Sequence, residues 1–447
     1  MKATHAAVRA NSGAPQRRLL MNDASAGYSG TSGSLPVVLA LGTTHTIAWA
    51  SSYYLPAILA APIARDLGLA PTFVYGALSG ALVIAGLLGP RVGHAIDTFG
   101  GRGLLAVSNG VLAAGLLLLS FANGAIGLIA AWMILGVGMG MGLYESAFAT
   151  LTRIYGTAAR KPITGITLIA GFASTVGWPL STWLDVEFGW RSACQAWALI
   201  HLILALPLNL ILPHANPLQQ VEAKAESSEA TKRSETFTMI ALAYVFAATG
   251  FVSAGLSAIL PSMLVQFGAT PAAALFAGTL VGPSQVAARL VEAGWLARYH
   301  PLISARLATL MTPLGVITIA LGGPLLAPVF AAFYGAGNGI LTIARGTLPL
   351  ALFGPQGFGR RVGFLSLPAR ATGALAPIAV SLMVEYIGIG ALWISALASA
   401  SAFAVLLLLR SAARMIGATA GQHFRTQVGG HQPIPRDWPH SAFTPVY

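Results

Sequence analysis

Long apolar stretches alternate with short polar turns along most of the chain. Twelve of these stretches reach about 20 residues or more, which lets a helix cross a bilayer core of about 30 Å. Because backbone groups in lipid must find their hydrogen bonds within the segment, stretches this long are expected to be helices, not barrel strands. The predicted spans cover residues 35–60, 72–92, 103–122, 125–152, 163–185, 190–212, 237–264, 271–292, 302–322, 325–352, 362–387 and 389–410.

Polar segments divide these spans into two groups of six. Residues 213–236 form the only long polar stretch between spans, and they separate a predicted bundle at 35–212 from a second bundle at 237–412. Residues 1–34 and 413–447 are polar and are expected to be tails without a core of their own. The predicted fold is an all-α membrane protein with twelve transmembrane helices in two six-helix pseudo-repeats.

The two halves repeat a set of Gly, Pro and Glu positions in the same order. Corresponding positions are separated by 193 to 200 residues. Repeated six-helix units are typical of transporters in which two halves rock about a site near the middle of the membrane. The matched pairs are Gly68 with Gly268, Pro71 with Pro271, Gly89-Pro90 with Gly282-Pro283, Gly136, Gly138 and Gly140 with Gly335, Gly337 and Gly339, Pro179 with Pro377, and Glu187 with Glu385.

Charge gives the chain an orientation. Charged residues make up only 9% of the sequence, and the formal net charge is +12. Twenty of the 25 Lys and Arg residues fall on the side that holds both termini, whereas two fall on the other side. This bias predicts cytoplasmic termini in a bacterial-type inner membrane. Attraction to the lipid bilayer accounts for the basic balance without a nucleic-acid partner.

The turn between the second and third spans carries a recognisable motif. It reads Gly93-His-Ala-Ile-Asp97-Thr-Phe-Gly100-Gly-Arg102 and resembles the cytoplasmic loop signature of the major facilitator superfamily. Gly93, Asp97, Gly100 and Arg102 match the signature, while Thr98 replaces its usual basic residue. The resemblance implies a gate at this loop, and Asp97 is suited to accept hydrogen bonds from the start of a helix.

A second segment is similar to a narrower group within that superfamily. Gly171-Phe-Ala-Ser-Thr-Val-Gly-Trp-Pro179 and Phe188-Gly-Trp-Arg191 look like bacterial carriers of monocarboxylates or of oxalate and formate. This resemblance implies a small organic anion as the substrate.

Ionisable residues inside the spans are the main candidates for function, because charges in lipid are costly and usually mark a pathway or a pair. Asn338, Thr342 and Arg345 share one helix face and are predicted to line a cavity. An arginine that reaches for the headgroups is the structural alternative for Arg345. Arg370 is a further candidate for substrate binding, with a structural role equally open.

Two other candidate groups have roles in gating and proton coupling. Arg289 and Glu292 are three residues apart, so they are expected to pair and to form part of the gate. Glu145 is predicted to approach the arginines in one conformation and to take up a proton in another. The alternative for Glu145 is a permanent ion pair that holds the halves together.

The first span offers a polar face of its own. His45, Trp49 and Ser52 follow helical spacing and are candidates for substrate binding. His45 could carry protons, although a packed histidine is the plainer interpretation. Tyr53 and Tyr54 are interpreted as anchors at the membrane interface.

Together these patterns predict a secondary active transporter, not an enzyme, that works by alternating access. The expected cargo is a small organic anion such as a monocarboxylate, because Arg can hold a carboxylate with two hydrogen bonds. The expected coupling ion is H⁺, and no nucleotide-binding loop, cofactor or metal site is predicted. An exporter of neutral or amphiphilic compounds, such as a drug or a sugar, is one alternative; a membrane sensor that does not transport is another.

Overall fold

The protein is helical throughout the part of the chain that the computed structural model describes, which is residues 34–214 and 229–428. Side chains are described there except at 229–232, 258, 259, 261, 262 and 410–428. The predicted N-terminal tail lies outside the described residues apart from Ser34, and so does most of the predicted central loop.

Fifteen α-helices make up the described chain. The first half contains α1 (Ser34–Ser51), α2 (Pro56–Leu67), α3 (Pro71–Phe99), α4 (Gly101–Ser120), α5 (Ala125–Gly142), α6 (Tyr144–Tyr155), α7 (Arg160–Ala170), α8 (Ala173–Ile200) and α9 (Leu206–Leu210). The second half contains α10 (Glu229–Gln266), α11 (Pro271–Gly294), α12 (Pro301–Gly322), α13 (Ala327–Phe353), α14 (Phe358–Ile387) and α15 (Gly390–Val428).

Nine helical stretches of the described chain are long and apolar enough to cross a membrane. One of them, Ala125–Leu210, is 86 residues long and turns at Gly156 and Gly189, so it holds three crossings. Another, Pro301–Phe353, is 53 residues long and turns at Gly323, so it holds two. The described chain therefore has the predicted twelve transmembrane helices, confirming the fold class.

Helix α15 is longer than the sequence analysis predicts. Its backbone continues to Val428, beyond the expected end of the last span at 410 and the expected start of the tail at 413. Hydropathy marks where a helix leaves the lipid, but residues after that point can remain helical when their propensity is favourable. The rest of the predicted tail, 429–447, lies outside the described residues.

The backbone repeats between the halves as closely as the sequence does. Left-handed φ angles occur at glycines in equivalent turns, and the pairs are Gly68 with Gly268, Gly124 with Gly323, Gly156 with Gly354, and Gly189 with Gly388. The glycine runs of α5 and α13 also pack alike. A Cβ atom on Gly136 would lie 2.6 Å from the Ala81 carbonyl oxygen, and one on Gly335 would lie 2.6 Å from the Val281 carbonyl oxygen. Small residues thus let α5 and α13 approach their neighbours, as expected in membranes.

Each half has its own core, and a third core joins the halves. Trp132 and Trp197 are buried in the first-half cluster, and Phe330 is buried in the second-half cluster. The third cluster packs Phe148 of α6 together with Phe358 of α14. It lies at one end of the molecule and closes the space between the halves there.

Local breaks in two spans decide where functional side chains lie. The first span is interrupted between α1 and α2, where Pro56 begins a new helix. The fourth span is interrupted at Leu143, whose backbone is extended. This break puts Glu145 in the first turn of α6, which is a favourable place for a carboxylate.

Candidate functional site

The two ends of the molecule differ in charge. One end carries the turns at Gly100, Gly156 and Gly354, and the arginines Arg102, Arg153, Arg160, Arg298 and Arg360 lie on or beside its turns. We call this the basic end. The opposite end carries the turns at Gly68, Gly124, Gly268 and Gly323.

An ion pair joins the halves near the middle of the molecule. Arg370 Nη2 of α14 donates to Glu145 Oε2 of α6 at 2.6 Å. The side chains are 11% and 27% exposed, so the pair is largely shielded from solvent. A space of only about 10 Å³ lies beside it, which leaves room for about one water molecule. The predicted approach of Glu145 to an arginine is therefore present, and Arg370 is its partner.

Two further arginines, Arg289 and Arg345, form no ion pair with a described residue. Arg289 Nη2 lies 3.4 Å from both Gln285 Oε1 and Thr342 Oγ1, and its Nη1 donates to the Thr167 carbonyl at 3.2 Å. Arg345 is close enough to Glu145 to interact with it electrostatically. Its Nε is buried without a hydrogen-bond partner among the described residues.

One residue of the polar face predicted on α13 contacts the neighbouring helix α11. Thr342 donates to the Asn338 carbonyl at 2.9 Å and lies beside Arg289 of the neighbouring helix. Tyr334 extends this polar region towards the opposite end, where its hydroxyl bonds Ser257 Oγ and the Ser253 carbonyl, each at 2.7 Å. The second half therefore contributes hydrogen-bonding and cationic groups to the space between the halves.

The first half contributes aromatic rings instead. Trp49 lies at the centre of this group, with ring centroids 5.2 Å from Tyr53, 6.0 Å from Tyr54 and 5.1 Å from Tyr144. We call these four residues the aromatic wall. Tyr53 and Tyr54 are only half-buried, but they pack here and do not form the predicted interface anchors. The reason is the break after Ser51, which turns both rings towards Trp49.

The other predicted residues of the first span are less exposed to the site. His45 is buried, its Nδ1 donates to the Leu41 carbonyl at 2.9 Å, and its ring stacks on Tyr144 at 6.0 Å. Ser52 is fully buried and donates to the Ala48 carbonyl of its own helix. The structure therefore keeps His45 behind the aromatic wall, and the prediction that Ser52 lines the cavity is wrong.

The predicted gate at the Gly93–Arg102 turn makes contact with the second half. Both Asp97 oxygens accept from the first turn of α14, from Gly359 N at 2.9 Å and from Arg360 N at 2.8 Å. Gly93 packs directly on the Gly359 carbonyl. Gly100 supplies the turn with a positive φ of 84°. Arg102 lies apart from this contact and donates to His214.

A second contact closes the basic end on the other side of the molecule. Arg160 of α7 donates to the Tyr299 carbonyl at 2.7 Å, and its Nη2 lies 3.3 Å from the Leu296 carbonyl oxygen and 3.4 Å from Glu292 Oε1. The expected pairing of Glu292 with Arg289 is therefore wrong. Helical spacing allows that pair, but Arg160 reaches Glu292 from the first half while Arg289 turns towards Thr167 and Thr342.

His300 supports this second contact from the turn before α12. Its Nδ1 accepts from Leu302 N at 3.2 Å and so caps the helix. Burial, together with the nearby Arg160 and Arg306, lowers the pKa of His300 below its usual value of 6.5. The ring therefore stays neutral at neutral pH and keeps the lone pair that the cap needs.

The opposite end is open by comparison. A groove of about 730 Å³ runs along α8, and its lining residue Trp178 meets Tyr54 of the aromatic wall edge-on at 6.2 Å. Most of the hydrogen bonds described between the halves lie towards the basic end; the bond from Ser79 to the Ala374 carbonyl lies nearer the opposite end. The described contacts between the halves are therefore concentrated at the basic end.

Several residues of this site escape prediction from the sequence. Tyr144 follows a helix break that hydropathy does not register, and Arg160 does not differ in the sequence from an ordinary basic residue of a loop. The available signal for Tyr144 is its place directly before the buried Glu145.

The comparison with protein families agrees with this architecture. The family model of the Major Facilitator Superfamily matches residues 41–344, which is more than half of the chain. The chain belongs to the major facilitator superfamily. It is accordingly an integral membrane transporter for small molecules and not an enzyme.

Solved structures share the fold at low sequence identity. The proton:xylose symporter XylE bound to 6-bromo-6-deoxy-D-glucose is 13% identical with a TM-score of 0.63, and the match covers 84% of this chain and 94% of that one. The human organic anion transporter MFSD10 is 16% identical with a TM-score of 0.65, covering 85% and 100%. The E. coli fucose:proton symporter FucP is 16% identical with a TM-score of 0.65, covering 84% and 99%. No curated protein sequence matches the chain.

Proposed function

We propose that this transporter carries a small organic anion and couples its movement to protons by alternating access. The observation that carries the proposal is the charge between the halves. Arg345 and Arg370 both lie within electrostatic range of Glu145, and only Arg370 forms an ion pair with it. Arg289 and Arg345 make no ion pair with a described residue, so the site has an excess of positive charge.

An anionic substrate would balance this excess. A buried guanidinium without a counter-charge destabilises its surroundings, and a carboxylate ligand offers both charge and two acceptor oxygens. Thr342 lies beside Arg289 and can orient such a ligand. The same arrangement would disfavour a cation.

Proton coupling follows from the position of Glu145. In this conformation the carboxylate is held by Arg370 across the interface between the halves. When the halves separate at the basic end, Glu145 loses that partner, and the loss of a neighbouring cation favours protonation of a carboxylate. The pair would thereby link proton uptake to the change of state.

The charge distribution favours a cytoplasmic position for the basic end, in the inner membrane of a bacterial-type cell. The end that is closed in this conformation would then face the cytoplasm. Among proteins of the same fold, XylE and FucP are described as proton symporters of sugars and MFSD10 as an organic anion transporter. These descriptions support the general mechanism, and the arginines favour the anion.

Uptake of radiolabelled carboxylates into proteoliposomes that contain the Arg345→Gln variant tests the proposal. Loss of the guanidinium should reduce carboxylate uptake at least about tenfold, because a charged hydrogen bond in a shielded site is removed. Arg298→Gln is the matched control, since Arg298 is exposed at the basic end. Uptake by Arg345→Gln equal to that of the control would refute the anion proposal.

The aromatic wall favours a second candidate, the transport of neutral or amphiphilic compounds. Rings of Trp49 and Tyr144 can stack on flat or sugar-like ligands without any charge. In that case Arg345→Gln would weaken transport only slightly. A sensor would instead bind a ligand without flux in the same vesicles.

A further inference from the structure

The two walls of the central site differ in chemistry, and a ligand that touches both must match both. The first half presents the aromatic wall, Trp49, Tyr53, Tyr54 and Tyr144. The second half presents guanidinium groups. Tyr53 lies within electrostatic range of Arg345, so the rings and the cations border the same space.

One hydrogen-bond donor of the aromatic wall lacks a partner in the described part of the chain. Trp49 Nε1 is buried without a hydrogen-bond partner among the described residues. The side chains of Tyr53, Tyr54 and Tyr144, which carry further donors, are half-buried. Buried donors are normally satisfied, and each one left unpaired costs free energy. A ligand that brings acceptor oxygens next to an apolar ring surface would satisfy them.

We propose that the substrate is an aromatic carboxylate, with its ring against Trp49 and Tyr144 and its carboxylate at Arg345. This inference rests on the proposed function and narrows its substrate class. A short aliphatic acid would leave the rings without contact. An uncharged aromatic compound would leave Arg289 and Arg345 without a counter-charge.

The same arrangement gives the ligand a part in closure. Its ring would be held by α1 and α6 of the first half, whereas its carboxylate would be held by α13 of the second half. A molecule that contacts only one wall cannot stabilise the approach of the two halves, because a ligand shifts a conformational equilibrium only through unequal contacts with the two states.

Four ligands of graded chemistry test the inference on the purified full-length protein. Thermal stabilisation titrations with benzoate, cyclohexanecarboxylate, benzamide and acetate yield apparent Kd values, because a ligand that binds the folded state raises its stability. Benzoate should bind tightest. Cyclohexanecarboxylate has the same charge and a similar size but no aromatic face, so its Kd should be about two- to tenfold weaker.

Variants of the aromatic wall locate the effect. Trp49→Leu should weaken the binding of benzoate until its Kd equals that of cyclohexanecarboxylate. Trp49→Phe should restore most of the difference in Kd between the two ligands, because phenylalanine keeps a ring at this position. Trp393→Leu is the matched control, since Trp393 lies on α15 outside the wall and is half-exposed. Restoration by Phe distinguishes loss of a ring contact from loss of folding.

The outcomes separate this inference from the function on which it rests. Equal Kd values for benzoate and cyclohexanecarboxylate would overturn the aromatic inference and leave the anion proposal standing. Equal values for benzoate and benzamide would overturn the anion proposal, and with it the assignment of a carboxylate. No stabilisation by benzoate at millimolar concentration would also overturn the inference.

Discussion

Single residues in this site take their chemistry from partners that lie far away in sequence. Glu145 and Arg370 meet although 225 residues separate them. Neither residue type is unusual for a membrane helix that lines a pathway. What makes the pair informative is its position across the interface, since it can exist only while the two halves are close together at the basic end.

The residue-scale prediction concerns Glu145→Gln. The amide can still accept a hydrogen bond from Arg370, but it cannot bind and release a proton. Proton-driven accumulation of a carboxylate in proteoliposomes at pH 6 should fall at least about tenfold, whereas exchange of substrate between the two sides should change less than about threefold.

Glu187→Gln is the control for this change because Glu187 is exposed on α8. It should transport like the unaltered protein. Accumulation by Glu145→Gln that still follows the proton gradient would contradict a coupling role for Glu145 and would favour the permanent ion pair.

Helices α3 and α14 meet through small residues, and this contact makes their closure possible. Gly93 lies against the Gly359 carbonyl, and a Cβ atom on Gly89 would lie 3.0 Å from the Gly363 carbonyl oxygen. Helices in lipid depend on such close packing for their association, because the hydrophobic effect does not drive them together there. Glycine is therefore required here by the approach of a neighbouring backbone.

The element-scale prediction is that Gly93→Val keeps the basic end open. A side chain at this position overlaps the α14 backbone, so the closed state loses population. In a Cys194→Ser background, alkylation of Ser366→Cys should become at least about tenfold faster, because Ser366 is 7% exposed in the closed state.

Gly103→Val provides the comparison, since a Cβ atom on Gly103 has no described neighbour within 4 Å. It should leave the alkylation rate near that of the parent. Slow alkylation in Gly93→Val would mean that α14 adjusts to the side chain, and that the glycine contact does not control closure.

At the scale of the whole molecule, two contacts of opposite charge close the basic end. Asp97 accepts hydrogen bonds at the amino end of α14, and Arg160 donates to the Leu296 and Tyr299 carbonyls after the carboxyl end of α11. Both arrangements suit the helix dipole, which favours anions at the first end and cations at the second. The two contacts therefore bias one equilibrium between two arrangements of the halves.

The whole-molecule prediction follows from that shared equilibrium. Asp97→Asn keeps an acceptor oxygen but removes the charge, which should cost the closed state about 0.3–2 kcal/mol. Spin labels attached at Gly103→Cys and Arg298→Cys in a Cys194→Ser background would report the loss of the closed state as a larger population of long distances between the labels. Adding Arg160→Gln should increase that population again, with free energies that roughly add.

Thr98→Val is the control in the same labelled background, because the bond described for the Thr98 hydroxyl goes to the His94 carbonyl of its own helix. Its distance distribution should match that of the parent. An unchanged distribution in Asp97→Asn would show that the Asp97 contact does not hold the basic end closed.

The sequence by itself determined the architecture and the location of one gate. Hydropathy is sufficient for the twelve crossings because lipid demands about 20 apolar residues for each helix. The repeated Gly and Pro positions predict the two halves, and the turn from Gly93 to Arg102 predicts the contact that Asp97 makes with a helix start. These features depend on local composition and short spacing, which the sequence displays directly.

Only the tertiary structure decided which residues meet. Helical spacing predicts Arg289 with Glu292, yet Glu292 binds Arg160 and Arg289 turns to Thr167 and Thr342. Spacing also predicts that Ser52 lines the cavity, whereas the break after α1 turns Tyr53 and Tyr54 inward in its place. Partner choice depends on how each helix is rotated and where it breaks, and those properties are settled by packing between helices that are not adjacent in sequence.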